Sequence, residues 1–210
     1  MVHRREINGQ EILLGNQGDL FMNAMTLFDH ETGSVWSQPL GEAILGPLTG
    51  TQLELLPSRL STWEEWQAEF PDTRALATGT VNSGFDLDDL TIVASIDEDS
   101  VAVPYEQLAA AGGFSTEVAG EPVFFVADAE RTSWAVYSRE VEGEIKDLEF
   151  RPSPQGAVVF DPSTGNEWDA LRGSPIGAHG IQLLRLPVFS SFADDFEIFF
   201  PDGELVDLFE

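Results

Sequence analysis

FDHETGSVW, residues 28–36, returns as FDPSTGNEW at residues 160–168. Both copies set an aromatic residue before an aspartate, a glycine four positions beyond it, and a tryptophan three positions after that. Asp29 is suited to accept backbone hydrogen bonds across a type I turn. Gly33 supplies the left-handed residue that closes a bulged hairpin. Asp161 and Gly165 repeat these roles. Phe28 and Trp36, like Phe160 and Trp168, are expected on flanking strands that reach one hydrophobic layer.

The likeness spreads in both directions. REINGQE at 5–11 answers REVEGEI at 139–145, and GTQLELLP at 50–57 answers GIQLLRLP at 180–187. STWEEWQAEFPD at 61–72 answers SFADDFEIFFPD at 191–202. The offset slips from 134 to 132 to 130 while order is kept, as loop deletions in a duplicated unit would produce. Asn8-Gly9 signals a two-residue hairpin turn, and Glu142-Gly143 is a weaker form of it. GTQLELLP reads as a strand stopped by Pro57. A short helix should follow, with Ser61 and Glu64 as capping box and Ser191 and Asp194 as their counterparts. Acidic first turns (Glu64-Glu65, Asp194-Asp195) oppose the helix dipole. Trp63, Trp66 and Phe70 share one face, as do Phe192, Phe196 and Phe199. Pro71 and Pro201 end the helices.

Between the units, LTIVASI (90–96) and PVFFVA (122–127) read as buried strands. VPYEQLAAAGG reads as a short helix closed by glycine, and SWAVYSREVEG (133–143) as an alternating strand. The fold expected is therefore mainly β, a β-rich α+β protein. It has two tandem related modules, residues 1–76 and 77–210, packed as one compact unit. Each ends in a short helix, and the first is incomplete at its N-terminus.

Composition narrows the function. The 210 residues include 37 acidic and 10 basic side chains, for a net charge of −27. Lys146 is the single lysine. Such a surface repels phosphate backbones and anionic membranes, which argues against nucleic-acid or membrane partners. It suits a salty milieu, or the capture of cations and cationic ligands. Without cysteine, the chain has no disulfide, thiolate ligand or cysteine nucleophile. MVHRREINGQ carries no apolar signal region. As written, the chain reads as cytoplasmic.

GNQGDLFMNAMTLFDHETGSVWSQPLGEAILGPLTGTQLELLP, followed by TWEEWQAEFPDT, resembles the prokaryotic family called domain of unknown function 3179 (DUF3179). TGSVWSQ, GPLTG and W…FPDT occur in that order. The second half resembles it more weakly. The resemblance implies an extracytoplasmic setting for full-length relatives and a Cys-x-x-Cys segment just upstream of the stretch aligned with Arg4-Arg5. This sequence then reads as a truncated member without that segment. The aligned stretch in the second module, ADAERTSW, has no cysteine either. The family brings no activity to transfer.

The site candidates follow from residue type. Asn16, Gln17, Asn23, Ser34, Trp36, Ser37 and Gln38 combine short polar groups with one aromatic, as in pockets that orient a small polar ligand. Asp29, His30 and Glu31 form a weak metal candidate, since neighbours on one turn rarely converge on an ion. His30 stands opposite Pro162, and His179 opposite Thr49. Glu64-Glu65 is explained by helix capping rather than glycoside chemistry. The acidic stretches DLDDL (86–90) and DEDS (97–100) lack the EF-hand layout and read as solvated linkers. No nucleotide, hydrolase or zinc-protease motif is present. No catalytic residue and no cofactor is assigned. The sequence favours a non-catalytic binding or structural module over an enzyme. The rival is a fragment of a metal- or redox-dependent enzyme whose cysteines lie upstream.

Overall fold

A computed structural model describes residues 1–75, 87–129, 133–153 and 156–209. Its first elements are local. Strands β1 (Glu6–Ile7) and β2 (Gln10–Glu11) pair across Asn8-Gly9, whose φ angles are 52° and 78°. Both values lie in the left-handed region that a two-residue hairpin turn requires. A four-stranded antiparallel meander follows: β3 (Leu14–Phe21), β4 (Ala24–Asp29), β5 (Val35–Ser37) and β6 (Glu42–Leu45). Helix α1 (Trp63–Glu69) comes next.

The centre of the molecule comes from the middle of the chain. After a 3₁₀ turn at Leu87–Asp89 come β7 (Leu90–Ile96), β8 (Asp99–Pro104) and α2 (Tyr105–Ala111). Gly112, at φ 79°, closes α2. Strands β9 (Gly113–Val118), β10 (Glu121–Asp128) and β11 (Ser133–Ser138) form a three-stranded sheet. A second small hairpin then pairs β12 (Glu140–Val141) with β13 (Glu144–Ile145). A second meander follows: β14 (Glu149–Arg151), β15 (Val158–Phe160), β16 (Glu167–Asp169) and β17 (Pro175–Ile176). The chain ends with β18 (Val188–Phe192), α3 (Ala193–Phe199) and β19 (Glu204–Leu205). The terminal strands return to the centre, giving a sheet of order β18-β7-β8-β19. The fold is β-rich with three short α-helices among the described residues.

Burial explains the apolar runs. Val123, Phe125 and Ala127 of β10 face Ile92, Val103 and Leu108 in one core. Phe124 and Val126 face the opposite way, onto Val159 and Trp168 of the second meander and onto Leu183 beyond it. A strand covered on both faces needs no polar alternation, so PVFFVA is continuously hydrophobic. Val93, Ala102, Phe189 and Phe196 line the outer face of the β7–β8 sheet, where Met1, Leu55 and Phe200 pack. The first meander has a smaller core of Ile12, Trp36, Ala43 and Leu53.

The repeated turns form as expected. Gly33 N–H and Gly165 N–H donate to the carbonyls of Asp29 and Asp161 at 3.0 and 2.8 Å. Both glycines have positive φ, 71° and 77°. Glu142-Gly143 repeats the Asn8-Gly9 turn at φ 53° and 81°. The two seven-residue helices, α1 and α3, lie 130 positions apart.

Five expectations are corrected. Phe28 and Trp36 do not share a layer, because the register places Leu27 opposite Trp36 and Phe28 opposite Val35. Phe28 instead contacts His30, with ring centroids 4.7 Å apart. Likewise Val159, not Phe160, faces Trp168, and Phe160 lies under the Arg151 guanidinium. GTQLELLP and GIQLLRLP form only isolated bridges, at Gln52, Leu55 and Arg185. Their prolines and short partner segments leave too few ladder bonds for a strand. The helix cap is Thr62 rather than Ser61: its side chain accepts from Glu65 N–H at 3.2 Å. The counterpart is Phe192, which has no side-chain cap bond, so Ser191 and Asp194 form no capping box. DEDS is not a linker, since Asp97-Glu98 is the turn joining β7 to β8, with Asp97 at φ 52°. Residue 86 of DLDDL and residues 130–132 of ADAERTSW lie outside the described residues.

Helix α1 buries no residue, so capping carries much of its local order. Thr62→Ala should therefore cost the helix about 1 kcal/mol. The expected result is faster hydrogen exchange at the Glu65 and Trp66 amides, with little change in the global melt.

Candidate functional site

The residues of SVWSQ hold the first meander together from within. Ser34 and Ser37 are buried with Trp36. Trp36 Nε1 donates to Asp29 Oδ2 at 3.0 Å, and Thr32 Oγ1 donates to the same oxygen at 2.8 Å. Thr32 N–H donates to Asp29 Oδ1 at 2.5 Å. Ser34 Oγ accepts Leu48 N–H and lies 2.7 Å from Thr32 Oγ1. Burial pushes the Asp29 carboxyl up, but the bonds from Trp36, Thr32 and Ser34 outweigh it and hold the group below its usual range.

The other candidates scatter. Asn16 Oδ1 accepts Gly18 N–H at 2.8 Å in an exposed bulge of β3, beside exposed Gln17. Asn23 sits in the β3–β4 turn at φ 69°, its Nδ2 3.4 Å from Asp195 Oδ1. Glu31 caps Leu13 N–H, and His30 rests on Phe28. Asp29, His30 and Glu31 thus serve three separate contacts. No group of three or more metal-ligating side chains gathers among the described residues. His179 Nε2 meets Glu167 O at 2.9 Å, and its ring stands edge-on to Trp168.

Gln38 leads to a wide concavity. Its carbonyl accepts from His3 Nε2 at 3.0 Å. His3 also bridges Leu55, which fastens the N-terminus across residues 52–55. Between this layer and the central sheets lies a groove of about 970 Å³. Its floor is apolar: Leu40, Leu53, Leu55, Leu184, Leu186, Pro187, Phe189 and Phe200. Glu54, Asp97, Glu98 and Glu121 stand along it, and no lysine or arginine lines it among the described residues. Arg4, outside the lining, binds Glu54 at 2.5 Å.

His3, in the groove wall, keeps its second ring nitrogen packed against Gly41. Its Nε2 carries the proton donated to Gln38 O, which leaves Nδ1 with a lone pair. Nδ1 is buried and has no hydrogen-bond partner among the described residues. Burial lowers the His3 pKa, Gln38 O partly reverses this, and the nearby N-terminus lowers it further. The imidazole is therefore neutral at pH 7. Sequence reading missed this groove because its walls come from eight separated segments. The one sequence signal was the density of acids at 97–99.

The fold and this groove define an acidic, β-rich chain with an apolar cleft edged by carboxylates. Residues 1–89 match the model of a family described as "Protein of unknown function (DUF3179)", and over this stretch the chain is similar to that family. No curated protein and no solved structure matches the chain. No helix among the described residues is long and apolar enough to cross a membrane.

Proposed function

We propose that the chain is a non-catalytic binding module made of two related units, residues 1–76 and 77–210. Its ligand is a small molecule with an apolar body and a cationic N–H group. The observation that carries this reading is the groove: an apolar floor, four carboxylates along it, and no lysine or arginine in its lining among the described residues. An ammonium donor is attracted by the carboxylates, and its alkyl part removes apolar surface from water. The SVWSQ stretch contributes from behind. Ser34, Trp36 and Ser37 set the β4–β5–β6 frame, and Gln38 fixes His3.

Hexylammonium is the probe. It should bind saturably, and hexanol should bind at least about tenfold more weakly, as loss of one charge-assisted contact implies. Neutralising exposed Asp97, Glu98 and Glu121 together (D97N/E98Q/E121Q) should remove most of that difference without loss of fold. Equal binding of hexanol and hexylammonium, or unchanged affinity in the triple variant, would overturn the reading.

A further inference from the structure

A second site lies apart from the groove and rests on different residues. Nine arginines serve a chain with 37 acids, yet Arg59, Arg172 and Arg185 line a single cavity of about 440 Å³. Arg59 lies just before α1, Arg172 in the turn after β16, and Arg185 just before β18. Their gathering is a product of the fold, because 113 positions separate Arg59 from Arg172.

One carboxylate oxygen sits at their centre. Glu69 Oε2 receives Arg59 Nη2 at 2.5 Å, Arg172 Nε at 2.9 Å and Arg172 Nη2 at 2.7 Å. The hydrogen bonds from Arg172 lead in holding the Glu69 carboxyl below its usual range, and Arg59 adds to them against partial burial. Arg172 also meets Asp169 Oδ2 at 3.0 Å. Arg185 is held by neutral acceptors: Tyr137 Oη at 3.2 Å, Ser58 O at 3.5 Å and Leu171 O. Trp66 and Phe70 form an aromatic wall, with the Arg59 guanidinium 6.0 Å from the Trp66 ring.

We propose that this cavity is a binding site for a small organic acid, whose carboxylate takes the place that Glu69 now fills. Forked guanidinium donors match a planar carboxylate. The aromatic wall suits a flat apolar body beside it. Glu69 is the last residue of α1, a helix with no buried side chain, so little packing holds this internal carboxylate in place. A Glu69 that served only to tie α1 to the second half of the chain would not give way, and the parent chain would have no affinity for an organic acid.

Benzoate distinguishes the two, with benzamide as the neutral isostere and chloride holding ionic strength constant. E69Q removes the competing charge and keeps the side-chain volume. E69Q should bind benzoate about tenfold more tightly than the parent chain does, the worth of one charge-assisted contact. Benzoate, and not chloride, should raise its melting temperature. Benzamide should not bind. R172Q in the E69Q background should lose the benzoate affinity; if that variant does not fold, R59Q in the same background reads the same contact. Absence of benzoate binding by the parent chain or by E69Q, equal binding of benzamide, or full affinity after the arginine substitution would overturn the proposal. Groove binding of hexylammonium is untouched by either outcome.

Discussion

Replacing Trp168 by alanine should destabilise the protein by about 3–5 kcal/mol, the range for removing a large aromatic from a packed core. The Trp168 ring is fully buried against Phe124, Val126, Tyr137 and Leu183. Its Nε1 donates to Ile181 O at 2.7 Å, so the substitution also orphans a carbonyl. The loss should be global, because this core joins the second meander to β10, and β10 builds the central core from its other face. Chemical denaturation should show an earlier midpoint for every probe at once. Trp36→Ala should behave differently. Its core has four buried members, so the damage should stay within residues 5–55. Hydrogen exchange should then accelerate in β3–β6 while β7, β10 and β11 remain protected. A uniform loss in both variants would refute this division of the cores.

Asp29→Ala should cost about 2–4 kcal/mol, since it strips a buried acceptor from several donors at once. Trp36 Nε1, Thr32 N–H and Thr32 Oγ1 all lose their partner. Asp161→Ala should cost less. Ser163 and Thr164 lose a partner there, but Trp168 Nε1 is bound to Ile181 O and is unaffected. The carboxylate also predicts a pH dependence. The folded pKa of Asp29 lies below the unfolded value, so its contribution is complete above about pH 4, the unfolded carboxylate range. It is lost as pH falls through the folded pKa. Asp161 behaves the same way: burial opposes ionisation, and bonds from Thr164 and Ser163 outweigh it. Urea unfolding at pH 7 and pH 3 checks the sign. Asp29→Asn should be less stable than the parent at pH 7, and the gap should narrow at pH 3. A gap that stays constant would show that the charge of Asp29 adds nothing.

The candidate sites show how far residue type reaches. Serines, a tryptophan and a glutamine within five positions suggested a ligand contact, yet Ser34 and Trp36 spend their polar atoms on Asp29, Thr32 and Leu48. The same residues suit a pocket and a buried turn, and sequence spacing does not separate the two. His3, which lines the groove and fastens the N-terminus to Gln38, stood outside every motif. The arginine cluster was equally hidden, because its members are far apart in sequence and each alone resembles a surface charge.

Turn chemistry and burial pattern are what the sequence by itself determined. Asn8-Gly9, Asp29 to Gly33 and their copies act through bonds within a few residues, so their types suffice. Continuous apolar runs at β7 and β10 announce strands covered on both faces. Tertiary structure alone decided the pairings. It set Leu27 rather than Phe28 against Trp36, because one residue of register exchanges the faces of a strand. It returned β18 and β19 to β7 and β8, and it drew Arg59 to Arg172. Such contacts depend on the summed packing of distant segments, and no local stretch encodes that sum.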